Sequence, residues 1–289
     1  MKETIKLITS ALKEDKAFHD VTTLSTVPRS AVATARLIVR QDGVVCGLSV
    51  FAEVFKKLDK KCSVTALVKD GARVTAGQTV ATVSGPARAL LSGERTALNF
   101  IGHLSGISSR TAAFVHHTRG TKTQIFDTRK TIPGMRALAK HAVRCGGGEN
   151  HRRDLAEMAL IKDNHLQIIK DLSVTINHMK QKHADLKIQV ECETHAQVVA
   201  ALQARCDMLM LDNMPPAAMK REISFIAAYC REHRIARPGI EISGGVSLET
   251  IKKLSRLGVD RISVGAITHS APALDFSFEM DLASSQKLR

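Results

Sequence analysis

The chain has 289 residues and a mass of 31.4 kDa, the length of one large domain or two smaller ones. Hydrophobic residues make up 44% and charged residues 24%, ordinary values that exclude disordered, collagen-like and coiled-coil chains. The net charge is +14, and +9 of it falls between Arg95 and Arg153, where eleven basic residues face only Asp127 and Glu149.

Such an excess suits either a nucleic-acid surface or a pocket for small, multiply anionic substrates. Aromatics are only 3%, with no Trp and Tyr229 as the one Tyr, so platforms for stacking bases are scarce. No apolar run approaches the ~18–20 residues of a membrane span. The start, Met1-Lys2-Glu3-Thr4-Ile5-Lys6, has neither a long apolar stretch nor a small-residue cleavage site. A cytoplasmic protein without a membrane partner is the expectation.

Residues 1–20 read as a helix, with Ile5, Leu7, Ile8, Leu12 and Phe18 on one stripe, broken at Asp20-Val-Thr-Thr23. From Ala33 to Gly47 and from Ser63 to Ser84 the pattern is strand-like. Turns fall at Gln41-Asp42-Gly43, Lys69-Asp70-Gly71 and Ala76-Gly77, between β-branched runs. These features predict an α+β region of about a hundred residues with a largely antiparallel sheet. A long helix follows, from about Arg95 to Thr118.

Six short apolar runs then alternate with helical stretches. They are Thr123–Asp127, Met158–Ile161, Lys187–Glu191, Met208–Asp212, Ile240–Ser243 and Arg261–Val264, with a helix drawn, for example, from Glu249 to Leu257. Strand–helix alternation predicts βαβ units and a parallel sheet, and six units without a switch in pattern favour a barrel over a doubly wound sheet.

Each predicted strand runs into polar or glycine residues at its C-terminal end, the face where α/β barrels carry their sites. Arg129, Lys130, His151, Arg152 and Lys162 are donors, and several cations at one mouth imply a substrate with several negative charges. Glu191 and Asp212 are acids on the same rim, suited to sugar hydroxyls or Mg²⁺. Glu193 shares a strand face with Glu191 by period-two alternation, so periodicity does not choose between them. Ser243-Gly244-Gly245 and Val264-Gly265-Ala266 follow the last two strands, where backbone N–H groups commonly cradle phosphate.

Blander roles compete for some residues. Arg136, Lys140 and Arg153 read as solvated charges, Asp127 as a loop-orienting cap and His165 as a structural histidine. His103, His116, His117, His178, His183 and His233 read as non-ligands, and Cys145–Gly148 either as a turn or as a flexible approach to the cations. Among twelve histidines there is no HxH or HExxH spacing, and among six scattered cysteines no CxxC pair. That spacing predicts buried thiols, without a disulfide framework or a zinc site.

The stretches Gly93–Phe100, Leu104–Gly106, Asp127–Gly134, Gly146–Arg152, Ile161–His165, Leu211–Asn213, Ser243–Gly245 and Val264–Ala266, in this order, resemble the quinolinate phosphoribosyltransferase family, the carboxylating nicotinate-nucleotide pyrophosphorylases. The likeness runs from about Glu14 to Phe278. It implies a type II phosphoribosyltransferase architecture: an N-terminal α/β sandwich over about residues 1–105 with the tail 270–289 packed on it, and an incomplete parallel α/β barrel over 106–269. It implies transfer of phosphoribosyl from phosphoribosyl pyrophosphate (PRPP) to quinolinate, with Mg²⁺, giving nicotinate mononucleotide, pyrophosphate and CO₂ for NAD synthesis.

By that resemblance Arg129, His151, Arg152 and Lys162 hold the quinolinate carboxylates, Lys130 sits between quinolinate and pyrophosphate, and Thr128 is a further substrate-binding residue. Glu191 and Asp212 serve ribose and Mg²⁺, the spacing of 21 residues favouring Glu191 over Glu193. The Ser243–Gly245 loop and Gly265, with His269 nearby, take the 5-phosphate. Lys130, Lys162, Glu191 and Asp212 are the catalytic set. Arg95 reaches into the neighbouring subunit's site, which implies a homodimer, or a higher oligomer, with shared sites. The departure at Lys16-Ala17-Phe18-His19, where the family more often has a glycine, concerns domain packing. The alternative reading is a molybdenum-transport-associated paralogue of unclear substrate.

Overall fold

The structure is a computed structural model that describes residues 2–282. The chain divides into two compact units. The first comprises residues 1–112, 132–147 and 270–289, and the second residues 113–131 and 148–269. The segment 132–147 thus groups with the N-terminal residues, although it lies inside the stretch expected to be barrel. Residues 283–289 of the expected tail lie outside the described residues. No helix among the described residues is long and apolar enough to cross a membrane.

In the first unit the opening helix runs from Lys2 to Glu14 and buries Ile8 and Leu12 of the expected stripe. Phe18 falls beyond its end and is exposed. Asp20 does more than break the helix. Its carboxylate accepts from the Thr23 N–H at 3.0 Å and caps a second helix, Val21–Thr26. Hydrogen bonds from Thr23 hold its pKa below the usual carboxylate value.

The strands of this region are β1 (Val32–Val39), β2 (Gly43–Val44), β3 (Ser63–Ala66), β4 (Arg73–Val74) and β5 (Thr79–Pro86). Those of the second unit are β6 (Gln124–Phe126), β7 (Ala159–Ile161), β8 (Ile188–Cys192), β9 (Met208–Asp212), β10 (Gly239–Ser243) and β11 (Arg261–Ser263). The last, β12 (Phe276–Leu282), belongs to the first unit.

The main sheet of the first unit is antiparallel in the order β12-β1-β5-β3, with β1 pairing Ala33–Val39 against Leu282–Phe276. Strand β1 alternates exposed and buried residues before its apolar end. Its buried Leu37 sits opposite Phe278 of β12. Phe278 stacks on Phe55 at 5.5 Å, and Phe55 meets Phe51 edge-on at 5.1 Å. Both phenylalanines are fully buried on the helix Leu48–Leu58, which the turn-and-strand pattern of the sequence does not reveal. Burial of each such ring stabilises the unit by about 1.5–3 kcal/mol. The long helix starts earlier than expected and spans Ala87–His117.

In the second unit all six predicted strands form one parallel sheet in the order β6-β11-β10-β9-β8-β7. Strands consecutive in sequence pair side by side from β7 to β11, and β6 then pairs with β11. The sheet stays open between β6 and β7, as the incomplete α/β barrel implied by the family resemblance would have it. The expected helix Glu249–Leu257 is shorter, an α-turn at Ile251–Leu254 followed by a 3₁₀ turn.

Candidate active site

Period-two geometry puts alternate residues of each strand on one face. The register pairs Ser243 with Asp212 and Glu191 with Met210, so the C-terminal ends of β8, β9 and β10 deliver these side chains side by side. A cavity of about 360 Å³ opens there. Of the predicted residues, Thr128, Arg129, Lys130, His151, Arg152, Lys162, Glu191, Asp212 and Ser243 line it, joined by Leu160, Met210 and Ser263.

The cations occupy different depths. Arg152 is buried and donates from Nη1 to the Met158 carbonyl at 2.9 Å. Burial, with the like charge of Arg129 beside it, pulls its pKa below the usual guanidinium value. An anion in the cavity relieves that repulsion. Lys130 and Lys162 stand at the exposed lip. Lys162 Nζ meets Glu191 Oε2 at 2.8 Å, so a cation and an acid assigned to different parts of the substrate begin as an ion pair.

His151 is held on three sides. Its N–H donates to Asp127 Oδ1 at 2.7 Å, which makes the fully buried Asp127 the orienting carboxylate of this loop. Its Nδ1 accepts from the Arg152 N–H at 2.8 Å, which leaves the ring proton on Nε2. Nε2 lies 3.5 Å from Glu241 Oε2.

Glu241 was not among the predicted site residues. It is fully buried in mid-strand, hydrogen-bonded by Gln189 Nε2 at 2.9 Å and paired with Arg261 Nε. Burial alone would raise its pKa. The hydrogen bond from His151, the Arg261 charge and Ser263 outweigh it and hold the value at about 2. Arg261 also donates to Gln189 Oε1 at 3.0 Å and lies over the Phe126 ring at 4.9 Å. This charged layer lies under the cavity. Its signal in the sequence was present: Gln189 and Glu241 interrupt the apolar runs Ile188-Gln189-Val190 and Ile240-Glu241-Ile242.

The two glutamates of Val190-Glu191-Cys192-Glu193 separate because β8 ends at Cys192. Glu191 is buried against the cavity, whereas Glu193 is exposed at the start of the next loop. Asp212 Oδ2 accepts from Asn213 Nδ2 at 2.7 Å. Gly244 has φ +86°, and a Cβ there would come within 2.1 Å of Asn213 Oδ1, so only glycine lets that loop close over Asn213.

Gly244, Gly245, Gly265 and His269 stand outside the cavity lining. A Cβ on Gly265 would lie 3.1 Å from His269 Nε2 and 3.2 Å from Lys130 Cδ, so these three positions are neighbours. Arg95 belongs to the first unit, exposed on Ala87–His117 beside a separate concavity lined with Glu14, Asp15, Asn99 and His103.

Other expectations change. Lys140, read as a solvated charge, is 4% exposed. His165 Nδ1 accepts from the Lys162 N–H at 3.1 Å and caps the short helix Asp163–Leu166. Gly146 serves packing, since a Cβ there would lie 2.4 Å from the Ser108 carbonyl. Burial pushes the thiols of Cys62, Cys192, Cys206 and Cys230 up. Cys46 and Cys145 converge with Asp70 and His141 in the first unit, a grouping that the scattered spacing of the cysteines does not reveal. A hydrogen bond from Cys46 and the nearby His141 hold the Cys145 thiol at about 7 against the effect of burial.

Comparison with known proteins adds to this geometry. The quinolinate phosphoribosyl transferase N-terminal and C-terminal domain families match residues 20–105 and 107–279. The chain is 40% identical over 276 residues to the nicotinate-nucleotide pyrophosphorylase [carboxylating] of Mycobacterium leprae, covering 94% of this chain and 95% of that one. It is 35% identical to the probable enzyme of the same name from Bacillus subtilis, covering 96% and 94%. The solved nicotinate-nucleotide pyrophosphorylase of Francisella tularensis superposes with a TM-score of 0.90 at 34% identity, over 97% of this chain and 96% of that one.

Proposed function

The chain belongs to the quinolinate phosphoribosyl transferase family, and from that premise we infer that it is a carboxylating nicotinate-nucleotide pyrophosphorylase. It transfers the phosphoribosyl group of PRPP to the nitrogen of quinolinate and releases pyrophosphate and CO₂, forming nicotinate mononucleotide for NAD synthesis. The observation that carries this reading is the cavity wall, where Arg129, Lys130, His151, Arg152 and Lys162 oppose Glu191 and Asp212. A dicarboxylate and a pyrophosphate ester are the anions such a wall suits. The matching relatives are named for this reaction, so the molybdenum-associated alternative is not favoured.

Arg129 and Arg152 bind the quinolinate carboxylates through their planar forks. His151 lies against the bound quinolinate in the cavity wall, and Lys162 leaves Glu191 to meet a carboxylate when substrate arrives. The ring nitrogen then faces the anomeric carbon. As the C–O bond to pyrophosphate breaks, positive charge grows on the ribose, and Glu191 and Asp212 stabilise it electrostatically while binding ribose hydroxyls. Lys130 neutralises the departing pyrophosphate. The pyridine nitrogen is the nucleophile, so no protein side chain needs to be one.

Ring quaternisation prepares decarboxylation. The bond to the carboxylate beside the cationic nitrogen breaks, its electron pair passes into the ring, and CO₂ leaves. The vacated carbon takes a proton. The protein's part is to hold the ring and limit water. The Ser243–Gly245 loop and Gly265 receive the 5-phosphate through backbone N–H groups, with His269 beside them.

Two carboxylate side chains on adjacent strand ends are hard oxygen donors too few to cage an ion alone. That fits Mg²⁺, which prefers one or two carboxylates completed by substrate phosphates and water. When bound it supplies charge stabilisation to the pyrophosphate. Arg95 serves the neighbouring subunit's site in a homodimer. Mixed dimers of Arg95→Ala and Lys130→Ala chains, each expected to be inactive alone, should regain part of the activity. Proven heterodimers without activity would exclude sharing.

The direct test incubates the protein with quinolinate, PRPP and Mg²⁺ and measures both products. Equal amounts of nicotinate mononucleotide and CO₂ are expected. A folded dimer that forms neither overturns the assignment.

A further inference from the structure

Apart from the residues that line the reaction cavity, the first unit gathers four metal-ligating side chains that the mechanism leaves unused. Cys46 precedes the helix Leu48–Leu58, and Asp70 lies in the turn before β4. His141 and Cys145 stand one turn apart on Arg136–Cys145, hence on one helix face. One donor atom from each lies within 4.8 Å of all the others. His141 Nε2 is 3.2 Å from Asp70 Oδ2 and 3.5 Å from Cys145 Sγ.

We propose that Cys46, Asp70, His141 and Cys145 bind one Zn²⁺ ion in a closed, structural site. Two sulfurs, an imidazole and a carboxylate form a borderline-soft set that selects zinc over Mg²⁺. Tetrahedral zinc with ordinary bond lengths needs N–O and N–S edges of about 3.4 and 3.6 Å. The two measured separations are close to those values, and the remaining donor pairs lie within 4.8 Å of one another, so the cluster can close around an ion.

The supporting contacts aim the ligands. Asp70 Oδ1 accepts from the N–H groups of Gly47 and Leu48 at 3.0 and 3.1 Å, which leaves Oδ2 facing His141. The Cys46 N–H donates to Ser105 Oγ at 2.9 Å, and that hydroxyl donates to the Cys46 carbonyl at 3.2 Å. Such outer contacts orient ligands in metal sites. The Cys46 side is buried, while the His141 side chain is 43% exposed and gives an ion a way in. Each thiol releases a proton on binding. Four protein ligands leave no position for substrate, so the ion's role is mechanical. It ties Arg136–Cys145 to two loops that lie far from it in sequence.

The test uses the full chain and the metal alone. Protein purified with Zn²⁺ and desalted should hold one zinc per chain, and stripping it should lower Tm by several degrees. Co²⁺ added to the stripped protein should give sulfur-to-cobalt charge-transfer absorption that Zn²⁺ abolishes and excess Mg²⁺ leaves intact. Cys145→Ser and Asp70→Asn should lose the zinc and the absorption, yet keep quinolinate turnover at low temperature, because neither lines the cavity. The proposal is overturned by protein that retains no zinc and gains no Tm, by zinc retained unchanged in both variants, or by a Cys46–Cys145 disulfide in the purified chain. If the variants do not fold, the cobalt spectrum of the unaltered chain decides, and a spectrum without the charge-transfer band overturns the site.

Discussion

The parallel sheet carries charge at two depths, and the two layers are built differently. At the rim, Arg129, Lys130, Arg152 and Lys162 outnumber Glu191 and Asp212, and Arg152 lies against the like charge of Arg129. In the floor, Glu241 is met by His151, Gln189 and Arg261, so a fully buried carboxylate has three partners. A charge sealed from water must be neutralised by the protein itself, whereas one at an open mouth can await a ligand. The rim is therefore left cationic for its substrates. The floor stabilises the fold and aims His151 at the cavity.

That contrast predicts that rim substitutions act on kinetics and floor substitutions on stability. The largest effect should come from Glu241→Ala, which strands Arg261 without its counter-charge. It should cost about 3–5 kcal/mol in denaturant unfolding. A loss under 1 kcal/mol would remove the distinction between the layers.

Arg152→Ala should lower Tm far less than Glu241→Ala does, because it removes a charge that repels Arg129 along with its hydrogen bond to the Met158 carbonyl. It should lower kcat/KM for quinolinate by about 10²–10³-fold, mostly through KM, since a charged hydrogen-bonded contact is lost. Wild-type kinetics would take Arg152 out of the site.

The third effect is a pH dependence. Glu241 titrates at about 2 in the folded chain against 4.5 for the ordinary side chain. A folded pKa below the unfolded one gives stability that is complete above pH 4.5 and lost as pH falls toward 2. Tm measured down this range should fall less steeply in Glu241→Gln, provided that variant folds. Parallel curves would assign the acid sensitivity elsewhere.

Much of the second unit was legible because it repeats. Six apolar runs ending in polar residues carry their own register, since period two decides which side chains share a face. Glu191, Asp212 and Ser243 reach the cavity in this way, and the other six predicted side chains reach it from loops. Alternation stopped being informative where a strand stopped: motif spacing favoured Glu191, and the end of β8 at Cys192 is the physical reason Glu193 stays out of the cavity. Glu241 and Gln189 were visible as polar interruptions, but their partners come from neighbouring strands.

The sequence by itself determined the antiparallel-then-parallel order of the chain, the turns, the cationic segment and the identity of the rim residues. These are local: alternation, turn chemistry and motif spacing act within a few residues. Tertiary structure alone decided that Lys140 is buried, that Lys162 pairs with Glu191, and that Cys46, Asp70, His141 and Cys145 converge. His141 and Cys145 share a helix face by their spacing, yet nothing local joins them to residues some seventy to a hundred positions earlier. Which faces meet depends on strand order and helix packing across the whole unit, a property of the folded chain and of no single segment.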